Sequence, residues 1–188
     1  SSAKTSIYEA AELAQKAGFK WASSFMDIGM GHIAALMGDL ETARAGFMRS
    51  AETAKLLGNK RVAYSSQSDF AHILRQHGEL DEPLATYRDL LPKWKDLGHR
   101  SAVAHELECI AFILVRKEEP ERAANLLGAA AALREAIDSV MTMMEQEEYE
   151  KEVTALRELL GEAEFNKRWD QGRKMSIDEA IEFAVLEQ

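Results

Sequence analysis

The chain has 188 residues, 46% of them hydrophobic and 29% charged, enough for one domain or a short repeat array of ordinary globular composition. A formal net charge of -9 excludes an electrostatic grip on nucleic acid or anionic lipid, and the single cysteine, Cys109, excludes a disulfide within the chain. No signal peptide and no apolar run of bilayer length is present, so the cytoplasm is the expected compartment and no membrane partner is expected.

From the N-terminus, residues 3–17 read as a helix, and helices follow at 21–37, 41–57, 61–77, 81–97, 101–117 and 120–137. The reading rests on a repeat. Gly18, Gly58 and Gly98 are forty apart, as are Met30, Phe70 and Ile110, then Ile33, Ile73 and Ile113, and then Phe47, Tyr87 and Leu127. The turn Gly38-Asp39-Leu40 returns as Gly78-Glu79-Leu80 and, degenerated, as Glu118-Glu119-Pro120. Each period is therefore a pair of helices, A then B, in units over about 21–60, 61–100 and 101–140. Gly58 and Gly98 fit the left-handed position past a helix end, and Pro120 fits a first turn. Pro92 falls inside the second B helix, where it removes the donor to the Arg88 carbonyl, so a kink or break is expected over 88–92.

Small residues Gly31, Ala71 and Ala111 share one register, and Ala3, Ala43 and Ala123 share another, with Pro83 the exception. The order Gly31, Ala43, Phe47, Ser50, and again Ala111, Ala123, Leu127, Ala130, resembles the tetratricopeptide (TPR) consensus. The expected fold is all-α: a TPR-like α-α right-handed superhelix, or solenoid, with C-terminal capping helices. Phe47, Phe70, Ile73, Ile110, Ile113, Leu127 and Trp169 are its expected core. Residues 1–20 read as half a repeat, since Ala11-Glu12 matches Ala51-Glu52, and the chain reads as a piece of a longer protein. The repeat fades after residue 137. A loop over 138–144 and helices at 145–160, 162–171 and 176–187 form the expected cap, residues 141–188.

The stretch from Pro120 to Ile137, with Tyr149, Leu156 to Phe165, Trp169, Gly172-Arg173 and Met175 to Ile181, resembles the C-terminal end of large bacterial signalling proteins. Those proteins carry a STAND-class ATPase core, often with a LuxR-type or winged DNA-binding domain or an adenylate cyclase domain, followed by a TPR-like array. The resemblance implies a sensor arm that binds an inducer or partner and controls the ATPase.

No phosphate loop, nucleophile elbow or zinc motif is present, so no catalytic residue, metal or cofactor is expected. The TPR resemblance implies a concave groove lined by the A helices. On the first it takes Phe25 and His32, on the second Ser65, Ser68, His72 and Arg75, and on the third His105, Glu108, Phe112 and Arg116. These positions are expected to face solvent and to hold a protein, peptide or small-molecule inducer. His32 and His72, forty apart, and His105 on the next A helix read as solvated or hydrogen-bonded imidazoles rather than metal ligands. Glu145, Glu147, Glu148, Glu150 and Glu152 read as a solvated helix face, and Met141, Met143 and Met144 as a soft loop. The expected role is a non-catalytic regulatory binding module; the alternative is a scaffold that self-associates as a homo-oligomer.

Overall fold

The computed structural model describes residues 6, 9, 13, 14 and 16–186; the half-repeat match at Ala11-Glu12 and the small position Ala3 lie outside them. Every regular element among the described residues is helical. They are α1 Lys20–Leu36, α2 Leu40–Leu56, α3 Lys60–Gln76, α4 Asp81–Asp96, α5 Arg100–Arg116, α6 Pro120–Ala136, α7 Met143–Leu160, α8 Glu162–Gly172 and α9 Ile177–Val185. Among the described residues no helix is long and apolar enough to cross a membrane.

The backbone repeats every twenty residues. Seven left-handed residues occur at that interval: Gly18, Gly38, Gly58, Gly78, Gly98, Glu118 and Asp138, with φ from 49° to 89°. At each, the next residue's N–H bonds back five residues: Phe19 to Ala14, Asp39 to Ala34, Asn59 to Ala54, Glu79 to Leu74, His99 to Trp94, Glu119 to Leu114 and Ser139 to Arg134, all at 2.8–3.0 Å. That bond is the Schellman closure, which satisfies a carbonyl the helix end leaves open. The last of these turns closes the third unit, Glu118 and Asp138 standing where glycine stands elsewhere; beyond it the interval is lost, the next left-handed residue being Gly161. Helix starts are capped locally: Asp39 accepts from the Thr42 N–H at 3.0 Å and Asn59 from Val62 at 3.2 Å.

The chain divides into two compact units, Ser1–Pro83 and Leu84–Gln188. In the first, α1 packs on α2 and α2 on α3. Ala34, Ala35, Ala43, Phe47, Phe70, Ile73 and Leu74 form its core. The small positions explain the close packing. A Cβ on Gly31 would lie 2.7 Å from the Phe47 ring, and one on Gly46 2.7 Å from the Asp27 carbonyl. Polar groups buried here pair with one another: the Ser50 hydroxyl bonds those of Ser24 and Ser66, each at 2.9 Å.

In the second unit α5 packs on α6, and α6 on α8. Leu107, Ile110, Ile113, Leu114, Leu126 and Leu127 are fully buried. Here α6 and α8 touch backbone to backbone. A Cβ on Gly128 would overlap the Trp169 carbonyl, and one on Gly172 would overlap the Asn125 carbonyl. Asn125 and Gly128 are one turn apart on α6, as Trp169 and Gly172 are on α8, so the two glycines make one reciprocal contact. This crossing corrects the expected burial of Trp169. Its backbone faces α6, its ring is half-exposed and stacks at 5.4 Å on Phe165, and Phe165 fills the core instead. The other six expected core residues are buried. Helix α9 is fastened at both ends. Lys95 pairs with Asp178 in its first turn, while Arg88 donates to the Ala184 carbonyl and Arg122 to those of Phe183 and Leu186.

Two further expectations are corrected. Of the kink or break expected at Pro92, the break does not occur: α4 runs from Asp81 to Asp96 with Pro92 inside and exposed, so its ring faces solvent and the tightly packed Leu90, Leu91 and Trp94 carry the helix past it. The loop expected over 138–144 ends at Thr142. The Thr142 hydroxyl accepts from the Glu145 N–H and the Glu145 carboxylate from the Thr142 N–H, a capping box that puts Met143 and Met144 in the first turn of α7.

Candidate functional site

The ten groove positions lie on α1, α3 and α5, and they do not all face solvent as expected. In the first unit Phe25 is half-exposed and meets Trp21 edge-on at 6.5 Å, with both rings largely in solvent. His32 is exposed, its ring edge-on to Phe47 at 5.0 Å. On α3, Ser65 and His72 are half-buried, while Ser68 and Arg75 are buried. Arg75 Nη2 donates to His72 Nδ1 at 3.1 Å. Since guanidinium can only donate, Nδ1 is the acceptor nitrogen; on the other side of the ring Nε2 lies 2.8 Å from the Gln76 amide nitrogen. His72 is thus fixed on both sides, one turn of helix supplying both partners. The surface of this unit left to a ligand is Phe25, His32, Ser65 and His72.

In the second unit the same face of α5 is engaged by the chain itself. Glu108 and Arg134 form a bidentate pair at 2.7 and 2.8 Å, both buried, and Arg134 also reaches the Ser139 hydroxyl at 3.3 Å. Burial alone would lower the Arg134 pKa, but the Glu108 carboxylate holds it above its ordinary value, so the guanidinium stays charged. Phe112 is buried beside this pair's helix face. His105 Nδ1 lies 3.4 Å from Glu145 Oε1, and its Nε2 lies 3.6 Å from the Cys109 thiol. Arg116 donates to Glu152 at 2.6 Å and to the Phe112 carbonyl at 3.2 Å.

Glu145 and Glu152 therefore do not belong to a solvated face, as their spacing among other carboxylates implied. They are seven residues apart, two turns of α7, and both turn toward α5. Burial pushes the Glu145 carboxyl up, but the Thr142 cap, His105 and Arg134 together bring it below the ordinary carboxylate range. Between them on the same helix, Tyr149 is held well above the usual phenol value, by burial first and then by the Glu108 carboxylate. Sequence reasoning missed Glu145, Tyr149, Glu152 and Arg134. The Thr142-x-x-Glu145 box was the legible signal, because it sets the register that turns these residues inward.

No group of three or more His, Cys, Asp or Glu among the described residues is placed to hold a metal ion. A cavity of about 180 Å3 lies elsewhere in the second unit, walled by Leu107, Ala129, Leu133, Ala136, Ile177 and Ala180, and none of the ten positions lines it.

The described residues thus define an all-helical protein with one polar helix face left to solvent on α1 and α3 and another, on α5, occupied by α7. Over 60 residues, 32% of the chain, it is 45% identical to curated proteins named "Putative HTH-type transcriptional regulator", one in Mycobacterium bovis and two in strains of Mycobacterium tuberculosis. The matched stretch is 7% of the length of each of these relatives, so the chain corresponds to a small part of them. No family model matches the chain, and no solved structure matches it.

Proposed function

We propose that this chain is a non-catalytic regulatory binding module of TPR-like superhelical form, belonging to a larger bacterial signalling protein that controls transcription. The observation that carries the reading is the twenty-residue backbone period, seven Schellman turns from Phe19 to Ser139, of which the last six close helices of 16 or 17 residues. Units that repeat in this way stack on their neighbours and expose a continuous ligand face, which is how solenoids bind. The similarity to mycobacterial regulators supports a place in transcription control, and the tail's resemblance to STAND-class and LuxR-type proteins supports attachment to an ATPase. The site residues of the reading are those the first unit leaves to solvent, Phe25, His32, Ser65 and His72, with a protein, peptide or small-molecule inducer as the ligand.

The test is capture by the purified module of a partner or inducer from the cell of origin, with Phe25→Ala/His32→Ala/His72→Ala beside a Met143→Ser/Met144→Ser variant. The reading expects the first variant to lose the ligand and the second to keep it. If the groove variant retains everything the native module captures, the groove is inert. A second reading, a self-associating scaffold, is favoured by Trp21, Phe25, Leu36 and Met37, each more than half exposed on or just past α1. Sedimentation equilibrium decides it: a monomer at all concentrations removes that reading.

A further inference from the structure

Helix α7 differs from its neighbours in how it is held. Of its 18 residues only Leu156 is buried, whereas α5 buries eleven of 17 and α6 ten of 17. Its anchorage is uneven along its length. At the C-terminal end Leu156 is fully buried and Arg157 lies 4.2 Å above the Phe165 ring, with Glu162 2.7 Å from its guanidinium. Toward the N-terminus the polar links to α5 are the His105–Glu145 contact and the Arg116–Glu152 ion pair, each with one or both partners partly exposed, and Tyr149 is half-buried between them. Such pairs hold weakly because water solvates the separated ions well. Met143 and Met144, in the first turn, are about four-fifths exposed and add nothing to the docking. The capping box satisfies first-turn N–H groups from within the helix, so this end does not draw on α5 for them. Both flanks carry left-handed residues, Asp138 and Gly161, where the chain can change direction. The helices on either side are firmly seated, α6 by its ten buried residues and α8 by the Gly128 and Gly172 contacts.

We propose that the α5 face bearing His105, Phe112 and Arg116 is a docking surface for an acidic amphipathic helix of a partner protein, and that the N-terminal two-thirds of α7 is a resident occupant which such a helix displaces. The chemistry of the incoming helix is written in the occupant: two carboxylates two turns apart, matching Glu145 and Glu152, with an aromatic residue between them as at Tyr149. The Arg116–Glu152 ion pair and the His105–Glu145 contact set its direction, one carboxylate at the imidazole near the start of α5 and the other on the guanidinium at its end. Displacement pivots α7 about Leu156 and Gly161. The inference deepens the reading of the A-helix faces as ligand surfaces, and it concerns the α5 face alone.

The experiment uses the whole chain and a fluorescein-labelled peptide of residues 142–160. Hydrogen exchange on the native protein is expected to show the amides of 143–152 exchanging at least tenfold faster than the central amides of α5. In Glu145→Gln/Glu152→Gln the resident helix is loosened, and the peptide is expected to bind at least tenfold tighter than to the native chain, read by anisotropy. Adding Arg116→Glu to that variant is expected to abolish peptide binding with helix content unchanged by circular dichroism. The proposal is overturned if residues 143–152 are as protected as α5, if the double variant binds no better than the native chain, or if binding survives Arg116→Glu. Dimers of the native chain that exchange α7 would make a second copy the occupant and overturn the assignment to a separate partner. Loss of ligand from the Phe25/His32/His72 variant is read on the first unit, so either reading can fail while the other stands.

Discussion

Single residues in this protein show what a repeat tolerates. Glu118 and Asp138 hold φ of 62° and 49°, where a Cβ crowds the following carbonyl at roughly 1–2 kcal/mol, a cost that Gly18, Gly38, Gly58, Gly78 and Gly98 avoid. Glu118→Gly removes that cost and adds only the entropy of a more mobile unfolded residue, roughly 0.5–1 kcal/mol. The expected outcome is a gain of up to about 1 kcal/mol, read as a higher urea midpoint at unchanged m-value. Gly172 is the opposite case. A side chain there meets the Asn125 backbone, which cannot rotate away as a rotamer can, so α6 and α8 must separate. Gly172→Ala is expected to cost about 1–3 kcal/mol or more. Gly58→Ala, where nothing lies near the new Cβ, is the control: it reports backbone strain alone, and a loss at Gly172 no larger than at Gly58 would remove the close-contact argument.

At the scale of the element, Pro92 is informative because the expected break is missing. A helix-interior proline costs about 3 kcal/mol relative to alanine, through the lost donor and the clash one turn back. Helix α4 nonetheless runs through it, with Leu90, Leu91 and Trp94 buried and Trp94 Nε1 donating to the buried Glu106 carboxylate at 3.0 Å. Packing on that side outweighs the proline, which sits on the exposed side. Pro92→Ala is therefore expected to raise stability, by about 1–3 kcal/mol. An unchanged thermal midpoint would mean that the Arg88 carbonyl has found another donor. The A/B pairing, the helix lengths and most of the core were legible in the sequence, because a forty-residue repeat superimposes several weak signals in one register. The left-handed turn at Asp138 was not, because the signal sought was glycine and an aspartate holds that conformation there.

For the whole molecule the acidic balance sets the response to pH. Glu82, Glu145, Glu135, Glu164 and Glu179 all sit below the ordinary carboxylate range: Glu82 through Arg44, Glu135 through Arg173, Glu164 through Arg168 and Lys167, Glu179 through the Ser176 cap, and Glu145 through its cap and cations against burial. A lowered folded pKa means that the unfolded chain binds protons first. Each group's contribution is therefore complete above the unfolded value and is lost as pH falls through the folded one. Asp27 runs the other way. Burial raises it against the pull of Arg49, so its contribution is present at low pH and lost as pH rises. Five groups against one give a net loss of stability on acidification below about pH 4.5, the ordinary glutamate range. Urea midpoints measured from pH 7 to 3 are expected to fall; a flat profile would show these pairs to be as well formed in the unfolded chain as in the folded one. Arg173→Gln should flatten part of that fall by removing the partner of Glu135.

The sequence by itself determined that this protein is helical, where its helices turn, and which residues such as Phe47, Ile73, Ile113 and Leu127 line its core. These follow from local rules, the 3.6-residue period, caps and left-handed turns, that act within a few residues of chain. It also placed the ten candidate groove residues within the helices that became α1, α3 and α5. It did not determine which of them face solvent. Phe112 shares a register with the exposed His32, yet it is buried, as are Arg75 and Glu108, and Glu108 is satisfied by Arg134 from the next helix. Nor did it show that Glu145 and Glu152 turn inward onto His105 and Arg116. Those outcomes belong to tertiary structure, because burial and charge pairing depend on groups brought together from residues tens of positions apart, and no local pattern records which neighbour will arrive.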